Sequence, residues 1–297
     1  MSVFTGSAVA IVTPFHNDAD QTVNYDAFAE LLDFQIENGT DAIVVCGSTG
    51  ESATMSEEEH LEVCRFAVDY VKHRVPVIAG TGSNCTKTAA NLTEAIRGYG
   101  ADAALVITPY YNKGTQEGLY QHFCAVAEAG KGIPVLMYNV PSRTGVNLLP
   151  ETVARLVREV PDIVGIKEAC GDLSQIVKLM TLTDGKIDLY SGNDDQTVPI
   201  MAMGGLGVIS VVANVAPKKM HDLCAAFQAG DLAAARALQL ETEELFECLF
   251  SEVNPIPVKK AVNLMGFAAG PLRLPLTEMT PAKAEKMAEA MKKLGVL

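Results

Sequence analysis

Four apolar or small residues, Ile163-Val164-Gly165-Ile166, run directly into Lys167, and Glu168-Ala169-Cys170 follow. The stretch 162–167 reads as a strand buried on both faces, because parallel strands covered by helices carry continuous apolar runs. An amine at the C-terminal end of such a strand is shielded from water. Desolvation disfavours the ammonium form and lowers its pKa. A neutral amine then adds to a ketone to give a Schiff base. Taken alone, the stretch fits a solvated lysine ending an ordinary strand at least as well, since strongly perturbed groups are a minority. The ends of the other strands decide between the two.

Those ends carry turns, hydroxyls and one guanidinium. Gly47-Ser48-Thr49-Gly50-Glu51 follows one apolar run, and Thr108-Pro109-Tyr110-Tyr111-Asn112 closes another. Tyr138 is followed by Asn139-Val140-Pro141-Ser142-Arg143-Thr144-Gly145, and Ser191-Gly192-Asn193-Asp194 closes a further run. The glycines of the first turn let backbone N–H groups face an anion, with Ser48 and Thr49 adding hydroxyl donors. A carboxylate fits there, though a plain strand-to-helix turn has the same look. Tyr138 can move protons as a carbinolamine becomes an imine, or can simply end its strand. Arg143 offers a two-pronged clamp for a second carboxylate, or is a solvated loop residue. At least one of Tyr110 and Tyr111 is expected to serve packing.

Other chemistries lack their patterns. His16, His60, His73, His122 and His221 show neither H-x-x-x-H nor H-x-H spacing, so no metal site is expected. No G-x-x-x-x-G-K-[ST] occurs, and no G-x-G-x-x-G follows the first strand. Met203-Gly204-Gly205-Leu206-Gly207 precedes a strand, which suits close packing better than phosphate binding.

These residues need a scaffold that gathers strand ends. Apolar runs at 7–13, 41–46, 75–79, 102–108, 133–138, 162–167, 187–190 and 206–211 alternate with helical patterns at 25–38, from Ser56, 86–99, 117–129, 149–159, 172–182, 196–203 and from Pro217. Ser56 with Glu59 forms a capping-box signature. Eight such units predict parallel strands joined by crossovers, in a (β/α)8 TIM barrel or an open doubly wound sheet. The count favours the barrel, an α/β fold whose active site lies at the C-terminal strand ends. From about residue 230 the strands stop. Helices are expected over 231–250, 258–265 and 281–294, the last with Thr280 as cap and Gly295 as stop. The organisation expected is a barrel over 1–229 with a C-terminal helical appendage over 230–297.

Composition removes several classes. The net charge is −13 and 48% of residues are hydrophobic, with a pI near 4.8. A nucleic-acid binder needs a basic footprint, which is missing, and no cationic cluster suits a membrane surface. No apolar run reaches ~18 residues, and the N-terminus has no signal-peptide pattern. The seven scattered cysteines form no C-x-x-C and pair with no histidine at zinc spacing. They read as reduced thiols of a cytoplasmic protein.

In this order and spacing, G-S-T-G-E, T-P-Y-Y-N, Y-N-V-P-S-R-T-G and G-I-K-E-A resemble the dihydrodipicolinate synthase / N-acetylneuraminate lyase family over essentially the whole chain. The resemblance implies pyruvate condensing with L-aspartate-4-semialdehyde toward diaminopimelate and lysine. It implies no cofactor beyond a covalent Schiff base. Lys167 matches the Schiff-base lysine and Tyr138 the proton-transfer tyrosine. Thr49 and Tyr111 match the rest of a proton relay, with Tyr111 reaching into a neighbouring subunit. Ser48 and Thr49 match the pyruvate-carboxylate turn, Arg143 the clamp for the semialdehyde's carboxylate, and Gly192 and the Ile209 carbonyl the pocket wall. A homotetramer built as a dimer of dimers is implied.

Two departures bear on function. Ser48 stands where synthases often carry Thr and where neuraminate lyases also have Ser; Arg143 favours a synthase. Ser52, Ala53, His60, Asn84 and Tyr110 match a lysine-binding regulatory site. There, however, Glu57 replaces a second histidine and Thr88 a glutamate, so weak or absent lysine inhibition is expected. The competing readings are a neuraminate or 2-keto-3-deoxy-acid lyase, a non-catalytic metabolite binder, and a metal- or phosphate-dependent sugar barrel.

Overall fold

The apolar runs become strands because each is sandwiched between a barrel interior and a layer of helices. A computed structural model describes residues 2–297. Its strands are β1 (Gly6–Ala10), β2 (Ala42–Val45), β3 (Val77–Gly80), β4 (Ala103–Ile107), β5 (Val135–Asn139), β6 (Ile163–Glu168), β7 (Asp188–Ser191) and β8 (Gly207–Ser210). They close in sequence order into a parallel barrel, β8 pairing with β1. The helices are α1 (Tyr25–Glu37), α2 (Glu57–Val71), α3 (Thr86–Tyr99), α4 (Gln116–Ala129), α5 (Pro141–Thr144), α6 (Pro150–Glu159), α7 (Leu173–Leu182), α8 (Thr197–Ala202), α9 (Pro217–Gln228), α10 (Leu232–Glu241), α11 (Glu243–Leu249), α12 (Ile256–Leu264) and α13 (Pro281–Leu294).

Two apolar layers result. Ile163 and Ile166 join the outer core between sheet and helices. Leu136, Tyr138, Ala169, Tyr190 and Ile209 join a smaller cluster inside the barrel. On β6 the two-residue repeat of a strand therefore sends Ile166 outward and its neighbour Lys167 inward. Phe4 stacks on Tyr190 with ring centroids 4.2 Å apart, filling the barrel interior. Gly207 lies against Gly6, where a Cβ would come within 1.8 Å of the Gly6 carbonyl oxygen. The glycine-rich stretch before β8 thus serves close strand approach.

Local chemistry shifts three expectations. The helix expected over 231–250 is two helices, divided at Thr242. Its hydroxyl donates back to the Leu238 and Gln239 carbonyls, each at 3.1 Å, a bond that competes with the regular ladder and bends helices. α5 was not expected; Pro141 opens it and Gly145, at φ 73°, closes it, too short a turn to show a period. The Ser56 cap forms, accepting from the Glu59 amide at 3.2 Å, but the capping box is half made. The Glu59 carboxylate instead grips Arg273.

Candidate active site

Register brings the chemistry together. In the β5–β6 pairing Tyr138 lies opposite Lys167, and Lys167 in turn lies opposite Tyr190 on β7. The Lys167 amine sits 4.4 Å from the centre of the Tyr138 ring. Lys167 is only 6% exposed. Its pKa is lowered to about 8, chiefly by burial; the Asp194 charge opposes the fall and the Arg143 charge adds to it. Tyr138 is pushed up to about 12, chiefly by burial, and so keeps its proton to donate.

The lysine stem is held by its neighbours. A Cβ on Gly192 would lie 2.7 Å from the Ala169 Cβ and 3.2 Å from the Lys167 Cε, so only glycine leaves room there. Next along β6, Glu168 accepts from Asn139 at 3.0 Å and from the Cys170 amide at 2.9 Å. The buried Asp194 accepts from the Ser210 hydroxyl and from the Val211 amide at 2.9 Å. Burial pushes the Asp194 pKa up, and these bonds oppose that rise by favouring the carboxylate.

A cavity of about 470 Å³ opens over this group. Its wall includes Ser48, Thr49, Tyr138, Arg143, Lys167 and Gly192, as the strand ends suggested. Phe250 to Asn254, from the C-terminal helical region, complete it. Asn254 Nδ2 donates to the Thr49 hydroxyl at 2.9 Å, and the Asn254 carbonyl accepts from Arg143 at 2.8 Å. One residue thus joins the Ser48–Thr49 turn to the Arg143 guanidinium. Asn254 was missed in the sequence, where Asn254-Pro255 signals only a turn. The turn itself is anchored from α12. The Glu51 carboxylate pairs with Lys259 at 2.6 Å, both side chains being fully buried, and also accepts from the Arg273 amide at 3.1 Å.

Two expected site residues stand apart within one chain. Tyr111 is 88% exposed, held at φ 73°, with its amide donating to the Thr144 carbonyl at 3.1 Å. It lines no part of the cavity. Ile209 packs inside the barrel below it.

A second cavity, of about 580 Å³, adjoins the first and is lined by Ser52, Ala53, His60 and Tyr110, with Glu57 and Thr88 among its wall residues. Asn84 is not in that wall; its carbonyl accepts from Asn112 at 2.9 Å. Thr88 donates to Glu57 at 3.4 Å, so the two departing residues engage each other. The buried His60 also meets two thiols, Cys46 and Cys64, a grouping the sequence spacing did not suggest.

The value for Lys167 makes a pH prediction. An amine with a pKa of about 8 is neutral in about one molecule in ten at pH 7, against about one in three thousand at the ordinary value. Nucleophilic capture of a ketone should rise tenfold per pH unit up to about 7 and level off above about 9. Rates of imine reduction measured across that range test it; a rate still climbing steeply near pH 10 would show an unperturbed amine.

Fold and site together define an enzyme of the (β/α)8-barrel class, with its reacting groups at the C-terminal strand ends. The model of the dihydrodipicolinate synthetase family matches residues 3–294, and the chain belongs to that family. It is 56% identical over the full length of both chains to a 4-hydroxy-tetrahydrodipicolinate synthase of Lachnoclostridium phytofermentans. It is 54% identical to that of Trichlorobacter lovleyi, covering 99% of this chain and 100% of the relative. Among solved structures, dihydrodipicolinate synthase from Thermotoga maritima superposes with a TM-score of 0.96 at 43% identity, covering 100% of each chain. The chloride-inhibited Acinetobacter baumannii enzyme complexed with pyruvate gives 0.95 at 46% identity, covering 99% of each. Among the described residues no helix is long and apolar enough to cross a membrane.

Proposed function

We propose that this chain condenses pyruvate with L-aspartate-4-semialdehyde to give 4-hydroxy-tetrahydrodipicolinate, the step that leads into diaminopimelate and lysine biosynthesis in the cytoplasm. The observation that carries the reading is the desolvated Lys167 amine against the face of a protonated Tyr138, with Arg143 at the mouth of the same cavity.

Pyruvate enters with its carboxylate on the Ser48–Thr49 turn. The neutral Lys167 amine adds to the ketone carbon; Tyr138 supplies a proton to the departing hydroxyl, water leaves, and an imine forms. The methyl proton passes to the Tyr138 oxygen, giving an enamine whose carbon attacks the aldehyde of the second substrate, and Tyr138 returns the proton to the aldehyde oxygen as it becomes a hydroxyl. The amino group of that substrate then displaces Lys167 from the imine carbon, closing the ring and restoring the enzyme. No further cofactor is needed, because the protonated imine itself accepts the electron pair. The barrel of residues 1–229 and the helical region of residues 230–297 act as one catalytic unit, since Asn254 ties Thr49 to Arg143. Tyr111, clear of its own cavity, completes the relay in a neighbouring subunit of a homotetramer assembled as a dimer of dimers, and the Ile209 carbonyl lines the pocket floor.

Borohydride reduction with pyruvate, followed by peptide mapping, tests the proposal. A reduced pyruvyl adduct on Lys167 is expected; a folded protein with no adduct would remove the mechanism.

Arg143 should separate the two substrates. Losing a charge-assisted bond costs about 1.5–3 kcal/mol, so Arg143→Ala should raise the KM for the semialdehyde by roughly 10- to 100-fold while pyruvate adduct formation survives. Equal loss in both assays would reassign the residue. For regulation, the engaged Glu57–Thr88 pair leaves lysine without the usual receptor for its amine. Steady-state rates should change little with added lysine, and strong inhibition at low lysine would refute this.

A further inference from the structure

Cys46, His60 and Cys64 converge on the outer side of β2, away from the reacting lysine. Cys46 directly follows β2, whereas His60 and Cys64 lie four residues apart on α2 and so share one helix face. Their sulfur and ring-nitrogen atoms all lie within 4.8 Å of one another, and all three residues are buried. The ring is oriented by its surroundings. His60 Nε2 is 2.7 Å from the Gly80 carbonyl oxygen, which can only accept, so Nε2 carries the proton. Nδ1 is left with its lone pair free, and the ring stands beside both sulfurs. A histidine fixed by a carbonyl on its far nitrogen is the usual arrangement of a metal-bound imidazole.

We propose that the two thiols and His60 Nδ1 form a binding site for a monovalent thiophilic cation, Cu(I). Three donors, two of them sulfur, suit a soft cation of low coordination number. Structural zinc sites take four ligands, and calcium or magnesium would want oxygens. One Cu(I) replaces one thiol proton, which passes to solvent, so the buried site gains no net charge. His60 also borders the 580 Å³ cavity, which provides a path inward. Because the ligands come from the end of β2 and from α2, and the ring is held by β3, a bound cation would cross-link three elements.

The test uses the full-length protein with Cys85→Ser, Cys124→Ser and Cys170→Ser, which removes the exposed and half-buried thiols. Under anaerobic conditions Cu(I) is offered from its bicinchoninate complex. The parent should withdraw one equivalent and its thermal midpoint should rise, as binding to the native state requires. Cys64→Val, of similar volume, should withdraw none and show no shift; Cys46→Val gives the same reading should the first variant fail to fold. A folded parent that takes no Cu(I), or variants that take as much as the parent, would overturn the site. Preference for Zn(II) over Cu(I) in direct competition would overturn the cation assigned.

Discussion

Lys167→Ala is expected to abolish the borohydride-trapped pyruvate adduct and to lower turnover by a factor on the order of 10⁴ to 10⁶, the range seen when a covalent nucleophile is removed. The fold should survive. Lys167 makes no ion pair among the described residues, and its charge is disfavoured by burial. Alanine would relieve that cost and leave the Asp194 carboxylate with its Ser210 and Val211 donors. Circular dichroism and thermal unfolding should therefore match the parent while adduct mass and turnover vanish. Retained turnover in a folded Lys167→Ala protein would place the nucleophile elsewhere.

Tyr138→Phe should lower turnover by about 10²- to 10⁴-fold, the range for losing a positioned acid–base group. Among the described residues the Tyr138 hydroxyl makes no hydrogen bond to another residue, and its ring forms the wall beside the Lys167 amine. Phenylalanine keeps that wall and the ring face while removing only the proton. The loss should therefore fall on kcat, with the affinity for pyruvate little changed. Slow adduct formation at unchanged saturation, measured by single-turnover trapping, is the expected signature. A rise in KM with kcat intact would mean that the hydroxyl binds substrate instead of moving protons.

Much of this protein was legible as a string of residues. The eight apolar runs, their alternation with helical periods and the turn glycines predicted the closed barrel, because burial on two faces leaves a pattern that does not depend on distant partners. The same logic placed Lys167 at a strand end, and α3 begins and ends where the 86–99 period does. Ser48, Thr49, Tyr138, Arg143 and Gly192 were nameable in advance since each ends or follows a strand, and strand ends in such a barrel converge.

Tertiary structure alone decided the rest. Asn254 bonds to Thr49 across 205 positions, and Lys259 pairs with Glu51 across 208; nothing periodic marks a contact made at such separation. Glu59 was readable as half of a capping box, yet the arrival of Arg273 from a distant loop drew its carboxylate away. Cys46 meets His60 and Cys64 only because α2 folds back onto the strand it follows. Local sequence determines what a segment becomes, because helix period, strand burial and turn chemistry act over a few residues. Which side chains meet depends on register and packing between elements, and those arise only when the barrel closes.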